Sequence, residues 1–175
     1  GSEAGGHIGE LTTMALVPQV VDAVKVPVLA AGGIADGRGL AAALCLGASG
    51  VQMGTRFLVA DECSVHESYK ERVLKASDVD TVVTGASVGH RVRSLRNMFT
   101  REFARMEREG RPPEEVMEFG MGRLARAVRE GDVVWGSVMA GQVAGMVRRR
   151  VSASHIVNEV VSEAETILRA VGGDR

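Results

Sequence analysis

Two short stretches decide the fold: Ala30-Ala31-Gly32-Gly33-Ile34-Ala35-Asp36-Gly37 and Gly54-Thr55-Arg56-Phe57. Each follows an apolar run, Val26-Pro27-Val28-Leu29 in the first case and Gly50-Val51-Gln52-Met53 in the second. Val26 to Ala31 is apolar on both faces, as a strand buried in a parallel sheet must be. Gly50 to Met53 reads as a second strand, running on to Val59. Between them Arg38 to Leu46 is an alanine-rich helix that Gly47 ends. Residues 11–25 read as an earlier helix. Thr12 and Thr13 are its candidate N-caps, Pro18 falls in its first turn, and Leu16, Val17, Val20, Val21 and Val24 recur at helical spacing. Helix, strand, helix, strand implies an α/β fold with a parallel sheet or barrel. Two neighbouring parallel strands that each end in glycine can hold one phosphate between their free N–H groups. Glycine suits such turns because a Cβ would keep the phosphate away and because they often need positive φ.

A third glycine-rich stretch, Glu3-Ala4-Gly5-Gly6-His7-Ile8-Gly9, places a histidine in a loop one βα unit earlier. In (β/α)8 barrels the turns after strands 7 and 8 form a phosphate site. A phosphate grip beside an exposed imidazole outlines a cofactor enzyme.

Downstream the pattern changes. Residues 61–76 are charged and helical, Asp80 to Thr84 reads as a short strand, and Ser87 to Asn97 as a basic loop with His90, Arg91, Arg93 and Arg96. Phe99 to Glu109 is a helix, and Pro112-Pro113 opens another that runs, with glycine interruptions, to about Glu130. Residues 133–147 read as a tight small-residue helix with Gly136, Ala140, Gly141, Ala144 and Gly145. Residues 153–171 form an amphipathic closing helix with Ile156, Val157, Val160, Val161, Ala164, Ile167, Leu168 and Val171 inward. The expected division is 1–60 as the last βα units, 61–131 as a mostly helical insert over the strands' C-terminal face, and 132–175 as closing helices.

Composition narrows the function classes. At 175 residues the chain can bury one core. A net charge of −1 and 3% aromatics argue against a nucleic-acid or membrane partner. Cys45 and Cys63 have no metal-ligand spacing, so no metal site is expected, and a reducing cytoplasmic setting fits. Cys45 is expected in the core and Cys63 at the surface. His66 and His155 read as surface positions.

Four segments together resemble a known family. They are Glu3 to Met14, Ala30 to Gly37, Val51 to Leu58 and Gly136-Ser137-Val138-Met139-Ala140-Gly141-Gln142. The chain resembles the FMN-dependent enoyl-acyl carrier protein reductase II of bacterial fatty acid synthesis, within the nitronate monooxygenase-like flavoprotein superfamily. The second and third segments are shared by many FMN barrels. The histidine loop with Glu10-Leu11-Thr12-Thr13-Met14, and the Val138-Met139-Ala140-Gly141-Gln142 run, are far more specific.

The resemblance implies the C-terminal part of a TIM (β/α)8 barrel, starting in the loop after strand 6, with the rest on a missing or separate polypeptide. It implies FMN as cofactor, NADH or NADPH as co-substrate, an acyl carrier protein thioester as substrate, and a homodimer. His7 is the candidate catalytic residue, either giving a proton to the thioester's Cα or hydrogen-bonding its carbonyl to stabilise the enolate. Gly5, Gly6, Ala31, Gly32, Gly33, Gln52, Gly54, Thr55 and Met139 are the candidate cofactor residues. The helix from Gly37 is expected to aim its positive end at the phosphate. Gln52 and the 137–142 segment either face the flavin or simply pack. Glu3 and Glu10 either orient His7 or cap a helix, and capping is favoured. The arginines near His90 either meet the carrier protein or nicotinamide phosphate, or face solvent, which is favoured. Arg148-Arg149-Arg150 are expected at a helix C-terminus. The alternative activity is nitronate monooxygenase, in which the matching histidine takes the nitroalkane's α-proton. A non-catalytic flavin- or phosphate-binding module is the third reading.

Overall fold

The glycine-punctuated run folds into two βα units. A computed structural model describes residues 1–173. A two-residue strand, β1 (Gly6–His7), precedes α1 (Thr13–Ala23), β2 (Leu29–Ala31), α2 (Gly37–Cys45), β3 (Gly50–Gln52) and the single-turn helix α3 (Thr55–Leu58). β2 and β3 pair in parallel, with Leu29 opposite Gly50 and Ala31 opposite Gln52. The expected strand to Val59 stops at Gln52, because Gly54 turns the chain into α3 instead. Val17 of α1, Ala30, Ile34, Ala43 and Ala48 form the core behind the pair.

Local chemistry accounts for the helix ends. The α1 N-terminus is capped by Glu3, whose carboxylate accepts from the Thr13 N–H at 3.0 Å and from its hydroxyl at 3.1 Å. Thr12 occupies the cap position without a side-chain bond. Pro18 is the sixth helical residue rather than part of the first turn, and the helix carries it through. Gly47, at φ +91°, turns the chain out of α2.

The second half differs from its pattern in two places. The stretch 87–97 is not all loop. Its end is β5 (Val92–Leu95), antiparallel to β4 (Thr81–Thr84) on one side and to β1 on the other. His7 therefore sits on a strand, opposite Val92. Residues 133–147 are not an α-helix: the chain is extended or turned until a 3₁₀ segment at Gln142–Met146. Its small residues serve close backbone approach instead. A Cβ on Gly136 would lie 2.2 Å from the Asp132 carbonyl oxygen, and one on Gly145 2.8 Å from the Asp78 nitrogen.

The remaining elements are α4 (Glu67–Leu74), α5 (Met98–Arg108), α6 (Pro113–Gly120), α7 (Arg123–Ala125) with a π-helical turn to Glu130, and α8 (Ala153–Gly172). α5 opens on a capping box in which the Asn97 side chain accepts from the Thr100 N–H while the Thr100 hydroxyl accepts from the Asn97 N–H. α8 packs on α2 and buries Ile156, Val160 and Ala164. Ile167 and Leu168 are half-buried, whereas Val157, Val161 and Val171 face outward, so the inward stripe is narrower than the pattern suggested. With no α-helix before them, Arg148–Arg150 lie on irregular chain after the 3₁₀ segment: Arg148 donates to the Ala76 carbonyl, Arg149 pairs with Glu159, and Arg150 with Asp61 and Glu67. Cys45 is exposed and Cys63 packs against the Ile156 cluster, the reverse of the expectation. Among the described residues, no helix is long and apolar enough to cross a membrane.

Candidate active site

The loop leading into β1, β1 itself and the turns after β2 and β3 face one another across a cleft of about 480 Å³. All ten residues singled out from the sequence line it: His7, Gly5, Gly6, Ala31, Gly32, Gly33, Gln52, Gly54, Thr55 and Met139. The cleft is built by close backbone packing. A Cβ on Gly5 would lie 2.6 Å from the Ala140 carbonyl carbon, and one on Gly141 would lie 2.6 Å from the Glu3 carbonyl oxygen. The Gln142 N–H donates to that same Glu3 oxygen at 2.9 Å. The histidine loop and the Met139–Gln142 segment, far apart in sequence, are thus one packed unit.

The donors that face the cleft are not those of α2. Its first amides are already taken: Asp36 accepts from Arg38 and Gly39, and the Glu163 carboxylate accepts from Gly37 at 2.7 Å. The α2 N-terminus is therefore neutralised by carboxylates, contrary to the expected role for its dipole. The free donors lie at the turns themselves. Among the described residues, the N–H groups of Gly33 and Thr55, both lining the cleft, have no protein acceptor. The buried Thr55 hydroxyl accepts from the Gly141 N–H at 2.8 Å, which leaves its own proton to donate. Gly33, at φ +71°, holds a conformation that favours glycine. Among the described residues, Glu3 is the one carboxylate on the cleft wall, and it is occupied at α1, so it caps rather than orients His7.

A second cleft, of about 310 Å³, opens on the far side of His7. It shares His7, Leu124 and Met139 with the first. Its other walls are mainly apolar, including Val88, Val92, Phe99, Phe103, Met117 and Met121. Phe99, Phe103 and Val116 form the small core behind it, where Phe99 and Phe119 stack at 5.5 Å.

A family model described as nitronate monooxygenase matches residues 1–163. A probable nitronate monooxygenase of Staphylococcus saprophyticus is 39% identical over 96% of this chain and 50% of its own length. The chain belongs to the nitronate monooxygenase family. Among solved structures, FabK from Thermotoga maritima matches with a TM-score of 0.94 and 49% identity, covering 99% of this chain and 55% of that one. A nitroalkane oxidase from Streptomyces ansochromogenes matches at 0.79 and 33% identity, covering 98% of this chain and 52% of its own. The chain spans about half the length of these relatives. Its fold is an α/β part of a TIM barrel.

Within this nitronate monooxygenase-family cleft, Tyr69 is the main residue that sequence reading missed. Its hydroxyl donates to the Met139 carbonyl at 2.6 Å and so fixes the segment between the two clefts. Burial pushes its phenol up from the usual range, which keeps it an O–H donor. Nothing local marks this tyrosine, because the helical pattern of 61–76 shows only that it points inward. Leu124, Val128 and Phe99 were missed for the same reason. The arginines of 87–97 are engaged within the chain. Arg91 pairs with Glu10 at 2.7 Å, Arg93 donates to the Ser2 carbonyl and the Thr81 hydroxyl, and Arg96 donates to the Val79 carbonyl. Burial lowers the Arg93 guanidinium somewhat from its ordinary value. Among the described basic side chains of that stretch, only His90 lines either of these two clefts.

Proposed function

We propose that this chain carries the catalytic half of an FMN-dependent reductase that reduces trans-2-enoyl thioesters of acyl carrier protein with NADH or NADPH. The observation that carries this reading is the apolar cleft beside His7, joined to the glycine-lined cleft through His7, Leu124 and Met139. An acyl chain needs such a space, whereas a small nitronate does not.

The residues present fit FMN. Among the described residues, the Gly33 and Thr55 amides, which have no protein acceptor, and the Thr55 hydroxyl line the cleft where the turns after β2 and β3 meet, and the carboxylate on that wall, Glu3, is already hydrogen-bonded to Thr13. Gly33 and Thr55 would hold that phosphate, and Gly5, Gly6, Ala31, Gln52 and Met139 would flank the remainder. Bound there, FMN would supply reversible hydride transfer between a nicotinamide and the Cβ of an enoyl thioester.

His7 supplies the other half of the addition. Its imidazole stands at the junction of the two clefts, where a thioester whose chain fills the apolar side presents its Cα. A proton placed on Cα from His7 completes the saturated thioester, and water restores the imidazole. The same imidazole hydrogen-bonded to the thioester carbonyl would stabilise the enolate. The remaining barrel strands would pack against the exposed outer face of Val26 and Leu29, with a second copy completing a homodimer.

The second reading, nitronate monooxygenase, is favoured by the family match and by the names of the Staphylococcus relatives. In it His7 takes a proton from the carbon bearing the nitro group. Side-by-side kcat/KM values of the full-length, flavin-loaded protein separate the two. The proposal expects the higher value with a trans-2-enoyl thioester and NAD(P)H, and a higher value with a nitronate and O₂ would replace it.

A further inference from the structure

We infer that His90 is a proton-relay partner of His7, a second imidazole that exchanges protons with it through water. The inference rests on the proposed role of His7 as a proton-handling group, whichever direction the proton moves.

The two imidazoles meet edge to face, with ring centroids 6.3 Å apart. Both line the apolar cleft, and among the described residues they are its only titratable side chains. Both are exposed, so water reaches them. Centroids this far apart leave the ring nitrogens at least about 4 Å from one another, beyond a direct hydrogen bond, so a proton passes between the rings only through intervening water.

His90 is held in place by its surroundings. The turn from Gly85 to His90 closes through the His90 N–H to the Gly85 carbonyl at 2.9 Å. Glu107 of α5 fastens the same turn, accepting from the Gly85 and Ser87 amides and from the Ser87 hydroxyl. A Cβ on Gly85 would lie 2.1 Å from the His90 carbonyl oxygen, so the turn requires glycine there. The nearby charged groups are committed elsewhere: Arg91 to Glu10, Arg93 to Ser2 and Thr81, Glu107 to the turn, and Glu3 to α1.

The relay balances simply. After His7 gives its proton to a carbon, protonated His90 passes one through the intervening water to the neutral His7 ring, and then takes one from solvent. For a nitroalkane the same path exports the proton. No electrons move in either sequence. His90 acts through His7 and touches no reacting atom.

The test is His90→Gln in the full-length, flavin-loaded protein, assayed with enoyl thioester and with nitroalkane. The relay predicts a kcat roughly tenfold lower, with KM nearly unchanged. It also predicts an altered pH–rate profile, a larger solvent deuterium isotope effect, partial rescue by added imidazole, and an unchanged rate of flavin bleaching by nicotinamide. An active wild type with an indifferent variant overturns the relay alone. A rise in KM without change in kcat also overturns it, assigning His90 to ligand binding. A wild type silent on both substrates overturns the functional reading, and the relay with it.

Discussion

The two clefts that share His7 are built on opposite principles. The glycine-lined cleft has one side made of backbone: there its walls are glycine turns, its free donors are amides and the Thr55 hydroxyl, and its closeness depends on the absence of side chains at Gly5 and Gly141. The apolar cleft is made of side chains, brought together from β5, α5, α6, α7 and the segment at Ser137–Met139. The first leaves no room for a side chain at Gly5 or Gly141 and suits a fixed, shared cofactor. The second can change its width residue by residue and suits a substrate whose length varies. His7 stands where they meet, and variants on either side test the division.

The largest effect belongs to the junction. His7→Ala should lower kcat by about 10²–10⁴-fold with flavin still bound, as checked by turnover and by the flavin spectrum after gel filtration. Flavin loss in this variant would move His7 from chemistry to cofactor binding. Next comes the backbone cleft. Gly141→Val forces a side chain against the Glu3 carbonyl, a strain of roughly 1–3 kcal/mol, so flavin should be lost on gel filtration and Tm should fall. The side-chain cleft should respond in a graded way. Met117→Trp, on its half-exposed wall, should raise KM for a long-chain thioester about tenfold, or ~1.4 kcal/mol, while leaving a crotonyl thioester unaffected. Equal effects on both lengths would show that the chain lies elsewhere.

The smallest expected effect on activity lies between the clefts. Tyr69→Phe leaves the Met139 carbonyl without its donor and should cost about 1–3 kcal/mol of stability, measured by urea unfolding. This residue also carries a pH signature. Because burial raises the folded-state phenol, the unfolded chain ionises first as pH climbs past about 10. Stability contributed by the protonated phenol is present below that pH and is lost above it. The Phe variant should show a flatter decline there.

The same contrast explains what could be read from the chain alone. The backbone cleft was legible because its signals are local: glycine after an apolar run, repeated one βα unit later. The α2 helix was legible from its alanines and the glycine that ends it, and α8 from its periodicity, both local signals. The apolar cleft was not, since Phe99, Met117, Leu124 and Ser137 converge only through tertiary packing. β5 was hidden because Val92-Arg93-Ser94-Leu95 follows a glycine turn and carries an arginine whose stem is partly buried and whose head bonds Ser2 and Thr81. The small-residue run after Trp135 looked helical because glycine and alanine at short spacing fit a helix–helix contact as readily as the backbone-on-backbone contact they make. The α2 dipole was misjudged because Glu163, which occupies the Gly37 amide, lies 126 residues away.

The measurement that bears most directly on the central claim is anaerobic mixing of the full-length, FMN-loaded protein with NADH or NADPH, followed by a crotonyl thioester, while the flavin's visible absorbance is recorded. Bleaching by a nicotinamide and recovery on adding the thioester is the predicted result. No bleaching by either nicotinamide, together with bleaching by a nitronate, would contradict the reductase assignment and leave the monooxygenase in its place.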